Sequence, residues 1–249
     1  VDRISILFLA EKKFSDMGIL FNFSGYRINR LAFNMMQNPK NKTYSPLEEK
    51  INIYSHALGF IASFIGTLFL IRKAYLSGDM AQMVSFGIFG LSMMILFAAS
   101  TLYHRAKEPD KRSRLRIFDH AAIYVLIAGT YTPFCLLTLP EKTGLIVFIV
   151  VWVFALVGIT IKLFFTGRFS LLSTLMYLFM GWMVIFIIKP LYQHLSTEGL
   201  TWLFSGGLAY TIGAILYSIK RIPFNHAIFH ILVLLGCFCH YMGIYLYVS

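Results

Sequence analysis

From about residue 51 onward the chain is built of long apolar runs divided by short polar breaks. Seven runs stand out, over approximately 51–75, 82–104, 117–138, 143–165, 170–189, 200–219 and 226–248. Each approaches or exceeds the roughly twenty residues that a helix needs to cross a bilayer. An isolated strand could not satisfy its backbone in lipid, so each run predicts a helix. The expected architecture is all-α: a polytopic membrane protein folded as a seven-helix transmembrane bundle over 46–249. The breaks are short, as in "SGDMAQ", "PEK" and "KRIPFN". One differs: "RAKEPDKRSRLR", 105–116, holds six Lys or Arg against two acids and reads as a basic loop. No repeat marks a duplicated transporter.

Composition agrees with the pattern. The 249 residues are 58% hydrophobic and 13% charged, with a mean hydropathy of +0.71, whereas a soluble domain is nearer a quarter charged. A net charge of +11 raises nucleic acid as a partner. The basic residues cluster in the short breaks between apolar runs, however, so the charge reads as membrane topology and no nucleic-acid partner is expected. With the N-terminus inside, the inner breaks hold ten basic residues and the outer ones four, namely Arg72, Lys73, Lys142 and Lys189. That predicts an N-in, C-out orientation. Cys135, Cys237 and Cys239 lie inside apolar runs and read as small hydrophobes.

Residues 1–45 stand apart as an N-terminal extension. "ISILFLA" is followed by "EKK" with no small-residue cleavage site, so it makes a poor signal peptide. Two readings stand side by side: an interfacial arm, or a stretch upstream of a natural start at Met35 or Met36.

The orientation gives the histidines a pattern. His56, His104, His120, His226 and His230, five of the seven, fall at the inner ends of four spans. His194 falls in an outer break, and His240 lies about 15 Å deeper than His230 along the same helix. Asp119 is the only acid within an expected span, and Glu48 and Glu49 precede the first. Polar groups inside spans are costly, tend to face the bundle interior and serve function. "HAIFH" puts His226 and His230 on one helical face, roughly 6 Å apart along the axis, a spacing that suits a shared metal and that chance also produces. Three imidazoles make a catalytic-type zinc tripod with a position left for water. The third must come from another helix, and His104 is the best candidate, with Ser100 one turn deeper in "STLYH". "HAIFH" lacks the Glu of H-E-x-x-H, so the base must come from elsewhere, and Asp119 is the nearest source.

"IAGTYTP" reads as architecture: Gly129 and Pro133 as a kink, with Thr130 or Thr132 bonding the freed carbonyls. Gly181, Gly206, Gly207 and Gly213 read as points of close helix approach. The three tryptophans read as packing or interface residues.

"EEKINIYSH", "STLYH", "FDHAAIYVLIAGTYTPF" and "KRIPFNHAIFH" together resemble the hemolysin III family of bacterial membrane proteins, a relation of the progestin and adipoQ receptors. The likeness runs from about Glu48 to Val248. It implies a seven-helix bundle in the bacterial cell membrane with Zn2+ near the cytoplasmic face. It implies His104, His226 and His230 as ligands, with Asp119 and Ser100 beside them. The wider superfamily includes alkaline ceramidases, which implies hydrolysis of a lipid amide or ester.

Three functions compete. In a zinc hydrolase acting on a lipid-like substrate, Asp119 orients or deprotonates the water and Ser100 bonds that water or the developing oxyanion. His56, His120, Glu48 and Glu49 are candidates to support the ligands from behind. In a receptor or membrane-homeostasis regulator the zinc is structural, and a closed four-ligand site would favour it. A pore-forming hemolysin ranks lowest, because seven apolar spans give no sign of a soluble toxin form.

Overall fold

The computed structural model describes residues 44–165 and 170–249. The described residues belong to one compact unit, Lys40–Ser249. Both readings of the N-terminal extension concern residues that, apart from Tyr44 and Ser45, lie outside the described ones.

Seven segments among the described residues are helical, long and apolar enough to cross a membrane. Helix α1, Pro46–Ser77, begins where its sequence says it should. Ser45 Oγ accepts the Glu48 N–H at 3.1 Å, and Pro46 occupies the first turn, where its missing N–H costs nothing. It ends at Gly78, whose φ of 71° is left-handed and closes the helix with an N–H bond to Tyr75 O. Asp79 then caps α2, Met80–Arg105, by accepting the Ala81 N–H at 2.7 Å.

Helix α3 spans Pro109–Pro133 and passes into a π-helical turn at Phe134–Thr138. The expected basic loop over 105–116 is therefore mostly helix. Pro109 starts a helix as well as it ends one. The cationic side chains of this turn lie beyond the apolar run and need no lipid-facing position. The true connection is only Ala106, Lys107 and Glu108.

Helix α4 covers Glu141–Phe165. The fifth span, expected as one helix, is broken: α5, Ser170–Trp182, passes through a 3-10 segment at Met183–Ile187 into α6, Ile188–His194. Helix α7, Thr197–Ser218, is capped by Ser196, and α8 runs Asn225–Tyr247.

The side chains are sorted in the sense that lipid requires. Leu58, Phe64, Phe69, Ile149, Leu156 and Phe238 are exposed, whereas Asn52, Ser92, Ser100, Asp119 and His230 are buried. Hydrocarbon accepts large apolar groups and rejects polar ones, so the polar side chains turn inward. Helix α1 packs against α2 and α8, α2 against α3, and α7 against α8. This arrangement brings the histidine-bearing ends of α1, α2 and α8 together.

The "IAGTYTP" hydroxyls bond carbonyls other than the one Pro133 frees. Thr130 donates to Leu126 O at 2.8 Å and Thr132 to Ala128 O at 2.9 Å, their own carbonyls four residues back. Two of the glycine expectations hold as contacts. A Cβ on Gly206 would strike the His240 ring, and one on Gly213 would meet Leu232 at 3.1 Å. Gly181 and Gly207 differ, because a Cβ on either meets nothing within 4 Å. They face an internal cavity rather than a neighbouring helix.

Candidate metal centre

Three imidazoles from two helices converge in the buried interior. His226 Nε2 lies 3.0 Å from His104 Nε2 and 3.1 Å from His230 Nε2. One ring nitrogen from each of the three lies within 4.8 Å of the others. The 226/230 spacing works because α8 is regular there, so four residues bring both rings to one face. His104 reaches them from the C-terminal end of α2.

The donor set fits a cation. Neutral imidazoles present lone pairs, and at most one proton can sit between two such nitrogens. Tetrahedral ligands about 2.0–2.1 Å from zinc stand roughly 3.3–3.4 Å from one another, close to the spacings seen. No fourth His, Cys, Asp or Glu joins the group among the described residues. Were a metal ion held here, three protein donors would leave a position open, as in catalytic rather than structural zinc sites.

The three rings are held from behind. His104 Nδ1 lies 2.6 Å from Glu49 Oε2, which directs Nε2 towards the other rings. Asn52 Nδ2 stands at the limit of a contact with the same nitrogen, 3.5 Å. Glu49 is ion-paired in turn to Arg112. Arg112 also donates to His104 O at 3.3 Å and Ala106 O at 3.2 Å, closing the carbonyl end of α2, and it lies over the Tyr103 ring. Glu48 serves the other ligand helix. Phe224, at the N-cap of α8 with φ 56°, offers no capping side chain, and Glu48 Oε1 accepts the His226 N–H at 3.3 Å instead. Asn225 ties the preceding turn down by donating to Tyr217 O at 2.9 Å.

His56 stacks on His230, with ring centroids 3.7 Å apart and planes at 16°, but it is outside the ligand group. His120 lines the cavity beside Asp119, and its carbonyl accepts the Tyr177 hydroxyl at 2.9 Å. Asp119 is buried and also outside the ligand group. Ser100 is buried, and its hydroxyl lies near enough to the Asp119 carboxyl to interact with it.

Two of the three rings, His226 and His230, line one end of a cavity of about 180 Å³ whose wall also includes Asp119. Its α3 wall runs from Asp119 to Tyr131 and its α7 wall from Tyr217 to Leu203. At about 1.5 Å per residue each is roughly 20 Å long, well over half the hydrocarbon thickness of a bilayer. Apart from its two ends the wall is mostly apolar, including Leu126, Ile127, Phe204 and Val233.

Sequence reading missed Arg112, taken only as a topological charge, together with Asn52, Tyr44 and Tyr217. Tyr44 stacks on His226 at 4.6 Å and 12°, and Tyr217 packs against the same ring at 5.2 Å. The only local signals were the nearness of Tyr44 and Asn52 to "EEK" and of Tyr217 to "KRIPFNH", and neither specifies contact.

The sequence model of the Haemolysin-III related family matches residues 44–241. The chain is 48% identical over 189 residues to the Hemolysin-3 homolog of Bacillus subtilis (strain 168), covering 76% of this chain and 89% of that one. It is 42% identical over 201 residues to Hemolysin-3 of Bacillus cereus, covering 81% and 92%. It is 30% identical over 221 residues to the Monocyte to macrophage differentiation factor of Homo sapiens, covering 84% and 89%. No solved structure matches it. With a seven-span bundle, a buried trio of histidines that could hold a metal ion, and these matches across most of its length, the chain belongs to the haemolysin-III family of multi-pass membrane proteins.

Proposed function

We propose that this protein is a zinc-dependent hydrolase that cleaves a lipid-like amide or ester at the cytoplasmic face of the bacterial cell membrane. The observation that carries the reading is the junction of two features. A three-nitrogen cluster with no fourth protein ligand among the described residues stands at the end of a long apolar cavity whose wall includes Asp119. A structural metal needs no such cavity, and a lipid pocket needs no such cluster.

His104, His226 and His230 would hold the metal. Zinc bound there would supply Lewis acidity, polarising a carbonyl and bringing the pKa of a water towards neutrality. The apolar wall takes the hydrocarbon chain and excludes bulk water, which places the carbonyl at the polar end. Asp119 orients the attacking water and takes its proton. Ser100, one turn deeper than His104 on α2, donates its O–H to that water or to the charge developing on the carbonyl oxygen. Glu49 and Arg112 hold His104 in its ligating tautomer, and Glu48 fixes the first turn of α8. The basic residues 105–116, at the same end of α2 and α3 as the cluster, support the cytoplasmic orientation.

The test is elemental analysis of the purified protein together with hydrolysis of long-chain amides and esters by unmodified and Asp119→Asn protein. Stoichiometric zinc, turnover by the unmodified protein and loss in the variant of roughly 10²–10⁴-fold are expected. Zinc with no cleavage by the unmodified protein would instead support a receptor or membrane regulator in which the metal is structural.

A further inference from the structure

The cavity that starts at the histidine cluster reaches another imidazole. His240 lies ten residues beyond His230 on α8, about 15 Å further along the axis, and its ring lines the same cavity. Three contacts fix that ring. Its Nε2 lies 3.1 Å from Leu203 O on α7, and the Tyr210 ring meets it edge-on with centroids 5.3 Å apart. Gly206 leaves the space it occupies, since a Cβ there would strike it.

The partner of Nε2 decides what Nδ1 offers. A carbonyl has no proton to give, so Nε2 carries the hydrogen of its bond to Leu203 O. In the neutral ring Nδ1 is then an acceptor with its lone pair free. Nδ1 is buried without a hydrogen-bond partner among the described residues, and His240 as a whole is 6% exposed. Buried polar atoms are nearly always paired, so an unpaired acceptor on a cavity-lining ring points to a donor on what fills the cavity. Other polar groups of the wall differ. Thr130 donates to Leu126 O, Tyr131 bonds Gly181 O and the Val184 N–H, and Tyr210 pairs with Cys237 Sγ at 3.2 Å. Thr211 donates to Gly207 O at 2.8 Å and accepts the Trp182 Nε1–H at 3.0 Å. Each of these already has a partner in the bundle.

We infer that His240 recognises a hydroxyl part-way along the chain of the ligand, accepting its hydrogen at Nδ1 while the carbonyl end lies at the histidine cluster. This rests on the reading above that the cavity holds the chain of a lipid-like substrate. The separation of about 15 Å along α8 matches roughly a dozen extended methylenes. The ligand class is therefore a long-chain acyl compound hydroxylated about that far from its carbonyl. The same hydroxyl placed half-way would lie among side chains such as Ile123, Ile127 and Val233, at the cost of burying a polar group unpaired. The cavity thus selects for the position of the hydroxyl and not merely for its presence.

The test uses two acids that differ only in where the hydroxyl sits, 12-hydroxyoctadecanoic and 7-hydroxyoctadecanoic acid. Their binding to the purified full-length protein is measured by displacement of radiolabelled octadecanoic acid. Both isomers give up the same hydration, so the ratio of their affinities reports where the hydroxyl lands. The 12-hydroxy acid should bind about 10-fold tighter. His240→Phe, which keeps an aromatic ring and removes the acceptor, should bring the ratio close to one with metal content unchanged. If that variant proves unstable, isomers hydroxylated at successive carbons carry the test on the unmodified protein, through a single affinity maximum near the 12-position. Equal affinities, or a preference that survives in His240→Phe, would overturn the role of His240 and leave the hydrolase reading intact. A preference that depends on His240 in a protein that cleaves no amide or ester would uphold the site and overturn the hydrolase reading. Failure of octadecanoic acid to bind would overturn both the site and the seating of a chain in the cavity.

Discussion

Glu49 Oε2 lies 2.6 Å from His104 Nδ1, so a carboxylate on α1 sets the direction of an imidazole on α2. Arg112, on α3, fixes that carboxylate in turn. Three helices thus share one chain of polar contacts behind one imidazole of the candidate centre.

Removing this support should loosen the metal without removing a ligand. Outer partners of metal-binding histidines are typically worth about 10–100-fold in affinity. Glu49→Ala should weaken zinc binding within that range, and Arg112→Ala should act in the same direction but less, because Glu49 keeps its bond to His104. Competition against a chelator of known affinity measures both, and unchanged affinity in Glu49→Ala would contradict the supporting role.

The ligands themselves should behave differently from Asp119. His104→Ala, His226→Ala and His230→Ala should each lower zinc content sharply, since two imidazoles compete poorly against other sites in the cell. Asp119→Asn should keep its zinc, because the carboxyl is outside the ligand group. Loss of zinc in Asp119→Asn, measured on the purified protein, would make Asp119 a ligand instead.

Gly207 lines the cavity, and a Cβ built there meets nothing within 4 Å. Gly207→Leu should therefore occupy cavity space without straining the packing of α7. Replacing a mid-helix glycine should leave the Tm unchanged or raise it, because glycine costs a helix roughly 0.5–1 kcal/mol. Mass spectrometry of co-purified lipid should show loss of chain-like ligands in this variant, while zinc content stays the same. Full retention of lipid would mean that the cavity is not where the chain sits.

Orientation can be read by labelling with a membrane-impermeant thiol reagent in a background lacking the three native cysteines. Asp110→Cys, exposed in the first turn of α3, should label only from the cytoplasmic side. Glu198→Cys and Ser249→Cys, exposed at the opposite end, should label only from outside. The reverse pattern would place the histidine cluster at the outer face.

Much of the architecture was legible because lipid restricts the choices so severely. An apolar run of about twenty residues in hydrocarbon has to be a helix, and all seven runs are helices here. Capping chemistry is equally local: Ser45 and Asp79 sit where their side chains reach the first free N–H groups. The break at Met183–Ile187 was not legible, because it lies in unbroken apolar sequence, whereas the π-helical turn at Phe134–Thr138 directly follows Pro133, which the sequence did single out.

The candidate centre divides in the same way. The pairing of His226 with His230 follows from the pitch of one helix, so the sequence alone determined it. That His104 meets them, that Glu49 stands behind His104 and Arg112 behind Glu49, depends on α1, α2, α3 and α8 packing at one end of the bundle. Gly181 and Gly207 likewise looked like packing positions, and only the tertiary arrangement turned them towards a cavity. Spacing along a chain fixes which side chains share a helical face, but it says nothing of what stands opposite that face. The helices' opposing surfaces decide that, through many weak contacts between residues far apart in sequence.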